Sequence, residues 1–313
     1  MKLNDNIAKP FLKWAGGKRQ LLPQLNVMLP IELYDKEFIY IEPFVGGGAM
    51  LFFMLQKFPN IKKVVINDIN RKLTDAYKIV KKDVQGLVTM LSIIEKEYNS
   101  LKKEDSRKEF YLTQRERFNH SKLDLLETTS LLIFLNRTCF NGLYRENSKG
   151  NFNVPFGRHK KPTICNSDVL YADSELLNKF DIEILNGNFD NTFCFLDDIS
   201  LNFFYFDPPY RPLSSTSSFN SFVKEDFNDD NQRALANYCQ KLSRKDNVYW
   251  MLSNSDCSAK NPKDTFFEEI YDGFDIQRVY ASRAVNAIAS KRGKLSELLI
   301  RNYNGTVLQQ IAI

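Results

Sequence analysis

Asp207, Pro208, Pro209 and Tyr210 follow one another directly after the apolar run Leu201–Phe206. Two successive prolines have a fixed φ and no N–H, so they neither extend a strand nor enter a helix interior; they form a rigid extended turn. Such a turn holds the Asp207 carboxylate and the Pro208 carbonyl as two fixed acceptors at a strand end, with the flat ring of Tyr210 beside them. That set suits a planar group bearing an NH2, whose two N–H bonds meet the acceptors while its face meets the ring. The plainer alternative is a turn that only caps a strand.

A second loaded turn is Glu42-Pro43-Phe44-Val45-Gly46-Gly47-Gly48. Glycine has no Cβ, so its backbone can approach a ligand closely. Asp68 closes the next apolar run twenty residues after Gly48, the spacing at which a carboxylate takes ribose hydroxyls in nucleotide-binding sheets. The dinucleotide fingerprint needs a third glycine to pack the helix, and Leu51 stands there, which disfavours a pyrophosphate. A nucleoside without phosphates, such as S-adenosylmethionine, fits better; a tight turn between strand and helix is the alternative. Near the N-terminus, Lys13-Trp14-Ala15-Gly16-Gly17-Lys18 combines cations, an indole and a flexible pair. Backbone N–H groups at Gly16 and Gly17, with Lys18 beside them, could face a carboxylate such as the methionine end of that nucleoside. Equally, this could be a loop before a helix, with Trp14 as a core anchor.

These residues need a frame to converge. The segments 38–48, 63–70 and 201–210 each hold a continuous apolar run, the pattern of strands covered on both faces in a parallel sheet. Ligands bind beyond the carboxyl ends of such strands, so Glu42, Asp68 and Asp207 are expected at one crevice. Further strands are expected at 247–255, 274–282 and 296–303. From Arg71 to Ile94 the apolar residues fall at steps of three and four, which predicts helix. The stretch to His120 is charged and helix-compatible, and 131–162 is aromatic and basic with turns at Asn141-Gly142 and Pro155-Phe156-Gly157. The expected class is α/β: a sheet domain from 1–70 and 165–313, with 71–164 inserted as a mainly helical subdomain ending in basic loops.

Composition narrows the classes. The 313 residues are 43% hydrophobic and 26% charged with a net charge of +5, a globular balance that permits a polyanionic partner. No eighteen-residue apolar run and no apolar leader occur, so a cytoplasmic protein is expected. Five cysteines without a CxxC pair and two histidines in separate segments argue against disulfides, a zinc site or a histidine base; the cysteines read as small apolar fillers.

In order along the chain, PFLKWAGGK, EPFVGGGAMLF, NDIN, NGLYR, NFNVPFGRHKKP and FDPPY resemble the Dam-type DNA adenine methyltransferases of bacteria and phages, from about residue 9 to 303. The resemblance implies a Rossmann-like methyltransferase sheet and an inserted target-recognition domain at 71–164. It also implies S-adenosylmethionine as cofactor, double-stranded DNA as partner, no metal, and association with the nucleoid through DNA. The cofactor set it implies is Trp14, Ala15, Gly16, Gly17, Lys18, Glu42, Pro43, Phe44, Gly46, Gly48, Asp68, Asn188, Phe189 and Asp207. Asn188 replaces the family's aspartate, so an uncharged amide oxygen would meet the cofactor's adenine amine. The implied catalytic turn is Asp207, Pro208, Pro209 and Tyr210. DNA contacts are implied for Lys13, Phe140, Asn141, Leu143, Arg145, Pro155, Arg158, His159 and Lys160. Arg145 would read a guanine edge, Phe140 would wedge into the base stack, and Lys160 would touch phosphate. A solvated charged face is the alternative for the cations, and His159 stands where the family often has tyrosine.

The implied reaction is methyl transfer to N6 of an adenine flipped out of duplex DNA, within GATC. A restriction endonuclease as functional counterpart stays open. The Ser/Thr-rich loop 211–227 reads as a closing flap or a solvated linker. Amino-methyltransferases acting on cytosine N4 or on protein glutamine also use such a proline turn, and a non-catalytic DNA-binding relative is a further alternative.

Overall fold

A computed structural model describes residues 8–14, 16–212, 227–282 and 294–304. Among them, seven strands form one sheet: β1 (Phe38–Glu42), β2 (Ile61–Asp68), β3 (Ile182–Asn186), β4 (Leu201–Phe206), β5 (Val248–Ser255), β6 (Asp275–Ser282) and β7 (Lys294–Arg301). Their order is β3-β2-β1-β4-β5-β7-β6. β7 runs antiparallel to both its neighbours, and the other pairings are parallel. The chain is thus α/β with a Rossmann-like sheet, as expected. β1 and β4 are buried along their whole length, which explains their unbroken apolar runs. Chain order reverses where β1 meets β4, and the crevice at such a switch point is the usual ligand site.

The helices are α1 (Leu22–Asn26), α2 (Glu32–Asp35), α3 (Ala49–Lys57), α4 (Arg71–Lys82), α5 (Val84–Ser100), α6 (Glu104–His120), α7 (Leu125–Thr138), α8 (Ser167–Lys179), α9 (Asp229–Leu242) and α10 (Phe266–Ile270). Strand alternation splits the core in two. Tyr40, Val64, Ile66, Phe203 and Tyr205 face α3, α4 and their neighbours through Leu51, Leu55, Tyr77 and Val80. On the other face, Ile39, Ile41, Val65, Phe204, Phe206 and Trp250 pack on Leu235, Cys239 and Tyr271. The first core continues through Phe134 of α7 to Tyr98, Tyr111 and Phe152.

Two local features differ from the sequence expectation. The helical periodicity from Arg71 is interrupted at Asp83, whose φ of −143° and ψ of 58° end α4 and whose carboxylate caps α5 by accepting from the Gly86 N–H at 3.0 Å. β3 went unread because it is a half-exposed edge strand without an apolar run. Three cysteines are buried, Cys165 is half-buried, and Cys194 is exposed, so the filler reading does not extend to Cys194. No helix among the described residues is long and apolar enough to cross a membrane, and no cluster of three metal-ligating side chains occurs among them.

Candidate active site and DNA interface

Glu42 ends β1, Asp68 ends β2, and Asp207 directly follows β4, so three adjacent strands deliver three carboxylates to one rim. Glu42 is 2% exposed and accepts from the Tyr40 hydroxyl at 2.7 Å. Burial pushes its carboxyl well above the usual range, and both Asp207 and Asp68 add to the rise. Glu42 therefore lies within electrostatic reach of both aspartates, at the rim where their adjacent strands end.

The glycine turn is built around Asp68 and Trp14. The Gly46 N–H donates to Asp68 Oδ2 at 3.1 Å, and the Asn70 N–H to Oδ1 at 2.9 Å. Burial raises the Asp68 carboxyl to about 6 against these stabilising donors. Gly48 has φ of +77° and caps α3, and a Cβ there would lie 2.5 Å from the Tyr77 hydroxyl, which donates to the Gly46 carbonyl at 2.9 Å. A Cβ on Gly47 would meet Trp14 Cβ at 2.9 Å. Asn67 holds the turn from beneath, donating to the carbonyls of Pro43 and Gly187 at 3.0 Å each. Phe44 and Phe189 pack with centroids 5.5 Å apart beside it. Asn188 is exposed, and its side-chain oxygen accepts from the Phe189 N–H at 2.7 Å.

At the other end of the crevice the proline turn is tightly framed. Gln232 of α9 donates to the Pro209 carbonyl at 3.0 Å and accepts from Asn254 of β5 at 3.1 Å. Asn254 in turn accepts from the Arg211 N–H at 3.3 Å. Among the described residues no donor reaches the Pro208 carbonyl. The Lys18 ammonium sits 2.9 Å from Asp207 Oδ1, 2.9 Å from the Gly16 carbonyl, 3.7 Å from Glu297 Oε2 and 4.3 Å from the centre of the Tyr210 ring. Tyr210 donates its hydroxyl to Glu297 at 2.6 Å. Burial, with Glu297 adding a little, raises the Asp207 carboxyl to about 6, while Lys18 pulls it down. The Asp207 side chain stays 21% exposed at the rim. Lys18 thus stands on the acceptor end of the crevice, beside Asp207. Gln232, Asn254 and Glu297 had no motif to announce them; each lies at least 22 residues from the turn it supports.

Trp14 links this crevice to the basic segment. Its ring stacks on Tyr144 at 5.1 Å with planes 23° apart. Asn136, 1% exposed on α7, accepts from the Lys13 N–H at 2.8 Å and donates to the carbonyls of Lys13 (2.8 Å) and Gly142 (3.0 Å). From Cys139 to Phe156 the chain folds back on itself through the bridges Cys139–Phe156 and Glu146–Phe152. α6 grips this ribbon at alternate residues. Tyr111 donates to the Val154 carbonyl at 2.8 Å, and Asn119 donates to the Phe152 carbonyl at 3.0 Å and accepts from its N–H at 2.9 Å. Phe152 and Val154 point inward, so period-two alternation turns Asn153 and Pro155 outward.

On the outer side Arg145 is exposed, with its Nε donating to Asn153 Oδ1 at 2.8 Å. Phe140 is 54% exposed, and its N–H donates to the Pro155 carbonyl at 2.8 Å. Asn141 takes φ of 56° at the turn, Leu143 is half-buried, and the Lys13 side chain lies across Gly142. Lys160 is exposed. The exposed Arg158 lies 3.7 Å from Glu104 at the start of α6, and the half-buried His159 has a ring nitrogen 3.2 Å from the Cys139 carbonyl. Ala15 and residues 213–226 of the expected flap lie outside the described residues.

Residues 14–285 match the family model described as D12 class N6 adenine-specific DNA methyltransferase. The chain is 48% identical over 299 residues to the Type II methyltransferase M.MjaIII of Methanocaldococcus jannaschii, covering 94% of this chain and 99% of that protein. It is 38% identical over 298 residues to the Type II methyltransferase M1.LlaDCHI of Lactococcus lactis subsp. cremoris, covering 94% and 95%. It is also 31% identical over 299 residues to the DNA adenine methylase of Escherichia coli K12, covering 96% and 97%.

Proposed function

Because the chain belongs to the D12 class of N6 adenine-specific DNA methyltransferases, we propose that it methylates a flipped-out adenine within GATC at the Asp207 end of this crevice, using S-adenosylmethionine. The observation that carries this reading is the juxtaposition of Asp207 and the Tyr210 ring around the Lys18 ammonium, on a proline turn that Gln232 holds through the Pro209 carbonyl.

The residues present fit the cofactor. Gly46–Gly48 form a turn packed so closely on Trp14 and Tyr77 that its backbone carries no side chain, with Asp68 accepting from the Gly46 N–H and Phe189 packed on Phe44. Asp68 would take ribose hydroxyls, Phe44 and Phe189 would flank the adenine, and the Trp14–Lys18 segment would border the methionine end. When bound, the cofactor supplies an electrophilic methyl on a sulfonium, and the electrons of the broken C–S bond stay on sulfur. Adenine N6 is a poor nucleophile because its lone pair is delocalised into the ring. Asp207 and the Pro208 carbonyl, accepting its two N–H bonds, favour a tetrahedral nitrogen, and the Tyr210 ring stacks on the base. The surplus proton that transfer leaves on N6 passes to Asp207. Adenine N6 lies inside the duplex stack, so the nucleotide must be extruded, at a cost of a few kcal/mol. The exposed Phe140 would fill the gap.

We place the DNA-reading part in the inserted segment 71–164, which holds α4–α7 and the ribbon after them; Leu73, Tyr77 and Val80 of α4 pack in the core that the segment shares with the sheet. Arg145 reads guanine with its guanidinium fork, while Lys13, Asn141, Leu143 and Pro155 line the same surface. Arg158 and Lys160 serve phosphates, whose contacts position without specifying. A functional pairing with a restriction endonuclease follows the Type II relatives. Long-read sequencing of DNA from cells expressing the protein tests the reading. N6-methyladenine confined to GATC supports it, and methylation at another sequence or on cytosine overturns it.

A further inference from the structure

Glu297 stands on β7, 87 residues from Tyr210, yet it closes the acceptor end of the crevice. It is 8% exposed, accepts the Tyr210 hydroxyl at 2.6 Å and lies 3.7 Å from the Lys18 ammonium. The same ammonium is 2.9 Å from Asp207 and 4.3 Å from the Tyr210 ring centre. Two carboxylates therefore share one cation. With Asp207 alone, Lys18 would neutralise the acceptor that has to draw positive charge onto N6. With Glu297 present, the trio keeps one net negative charge facing the reacting amine.

We propose that Glu297 is a positioning residue for methyl transfer: it fixes the Tyr210 ring through the hydroxyl and offsets Lys18 so that Asp207 keeps its acceptor strength. The inference rests on the reading of Asp207 as the acceptor for the adenine amine. Other groups face Asp207 as well: Glu42 and Tyr40 from β1, Tyr205 from β4, Lys18 from the turn before α1, and Tyr210. Of the two carboxylates that share Lys18, Glu297 is the one outside the proposed catalytic turn. Its charge raises the Asp207 carboxyl, so removing that charge must lower it.

The test compares Glu297→Gln, Glu297→Asp and Asp207→Ala, each assayed for methyl transfer to duplex DNA at saturating S-adenosylmethionine. Gln keeps an oxygen for Tyr210 and removes the charge. We expect kcat to fall roughly tenfold, less than the 10²–10³ lost with a directly contacting group. KM for DNA should stay within about threefold, and the acid limb of kcat/KM should move about 0.5 pH unit lower. Asp keeps the charge but shortens the reach, so kcat should fall with the acid limb unmoved, and this variant decides the matter if Gln does not fold. Wild-type kcat in both variants, a Gln limb that stays put, or an Asp limb that moves down overturns the inference. If Asp207→Ala itself turned over normally, the underlying reading would fail; if only the Glu297 results fail, that reading stands.

Discussion

At the scale of single residues, the crevice is a set of carboxylates whose charge is held back by burial. The Asp207 and Asp68 carboxyls are each raised to about 6, above the usual 3.8. Asp207 accepts an N–H bond only as the carboxylate, so kcat/KM of the free enzyme should rise with pH through about 6, and more steeply than one proton requires because Asp68 titrates with it. A profile that stays flat from pH 5 to 8 would contradict this. Arg145 offers a second residue-level test. Its outward guanidinium has one edge held by Asn153, and the proposed guanine contact would use the other. Arg145→Ala should cost ~1–3 kcal/mol of discrimination at one guanine position in substrate-variant kinetics. An equal loss on every sequence would make it a phosphate contact. Sequence alone made Asp207, Asp68 and Arg145 legible because they sit inside motifs. It could not disclose Glu297 or Gln232, whose roles exist only once distant strands and helices close on the proline turn.

Elements position these side chains, and their tolerance is narrow where backbones meet. Gly48 caps α3 at φ of +77° with the Tyr77 hydroxyl 2.5 Å from where a Cβ would stand. Gly48→Ala should destabilise the fold by roughly 1–3 kcal/mol and weaken cofactor binding, read by urea unfolding and cofactor titration. An unchanged urea midpoint would show that the turn relaxes freely. α8 has a different vulnerability. Asp173 is fully buried there; one oxygen accepts the Lys9 N–H at 2.9 Å, and the other has no partner among the described residues. Burial raises its carboxyl to about 8. The folded value exceeds the unfolded one, so this stability is complete below about pH 4 and is lost as pH rises through about 8. Asp173→Asn should raise the unfolding free energy at pH 8–9 by on the order of a few kcal/mol, with no gain at pH 4. A gain independent of pH would point to packing instead. The strands with unbroken apolar runs were readable for a physical reason: both their faces are covered. β3 was not, because an edge strand shares its face with water, and the break at Asp83 hid inside a helix-period pattern that the cap interrupts without disturbing.

Across the whole molecule, residues as far apart as Lys18, Asp207 and Glu297 are brought together by a sheet whose order reverses at β1 and β4. Trp14, stacked on Tyr144, joins this crevice to the ribbon proposed to face DNA, so the two halves of the proposed site share a wall. The net charge of +5 permits a general attraction to DNA. Lys160→Ala should reduce the salt slope of duplex binding by ~0.9 without altering sequence preference, because a phosphate contact releases about one counterion. A changed preference with an unchanged slope would instead place Lys160 at a base. The most direct test of the account is methyl transfer by Asp207→Ala, measured in a single turnover beside duplex affinity. The account predicts a loss of at least about 10²-fold in the transfer rate, with DNA affinity kept within a few-fold. Transfer at the wild-type rate would contradict it.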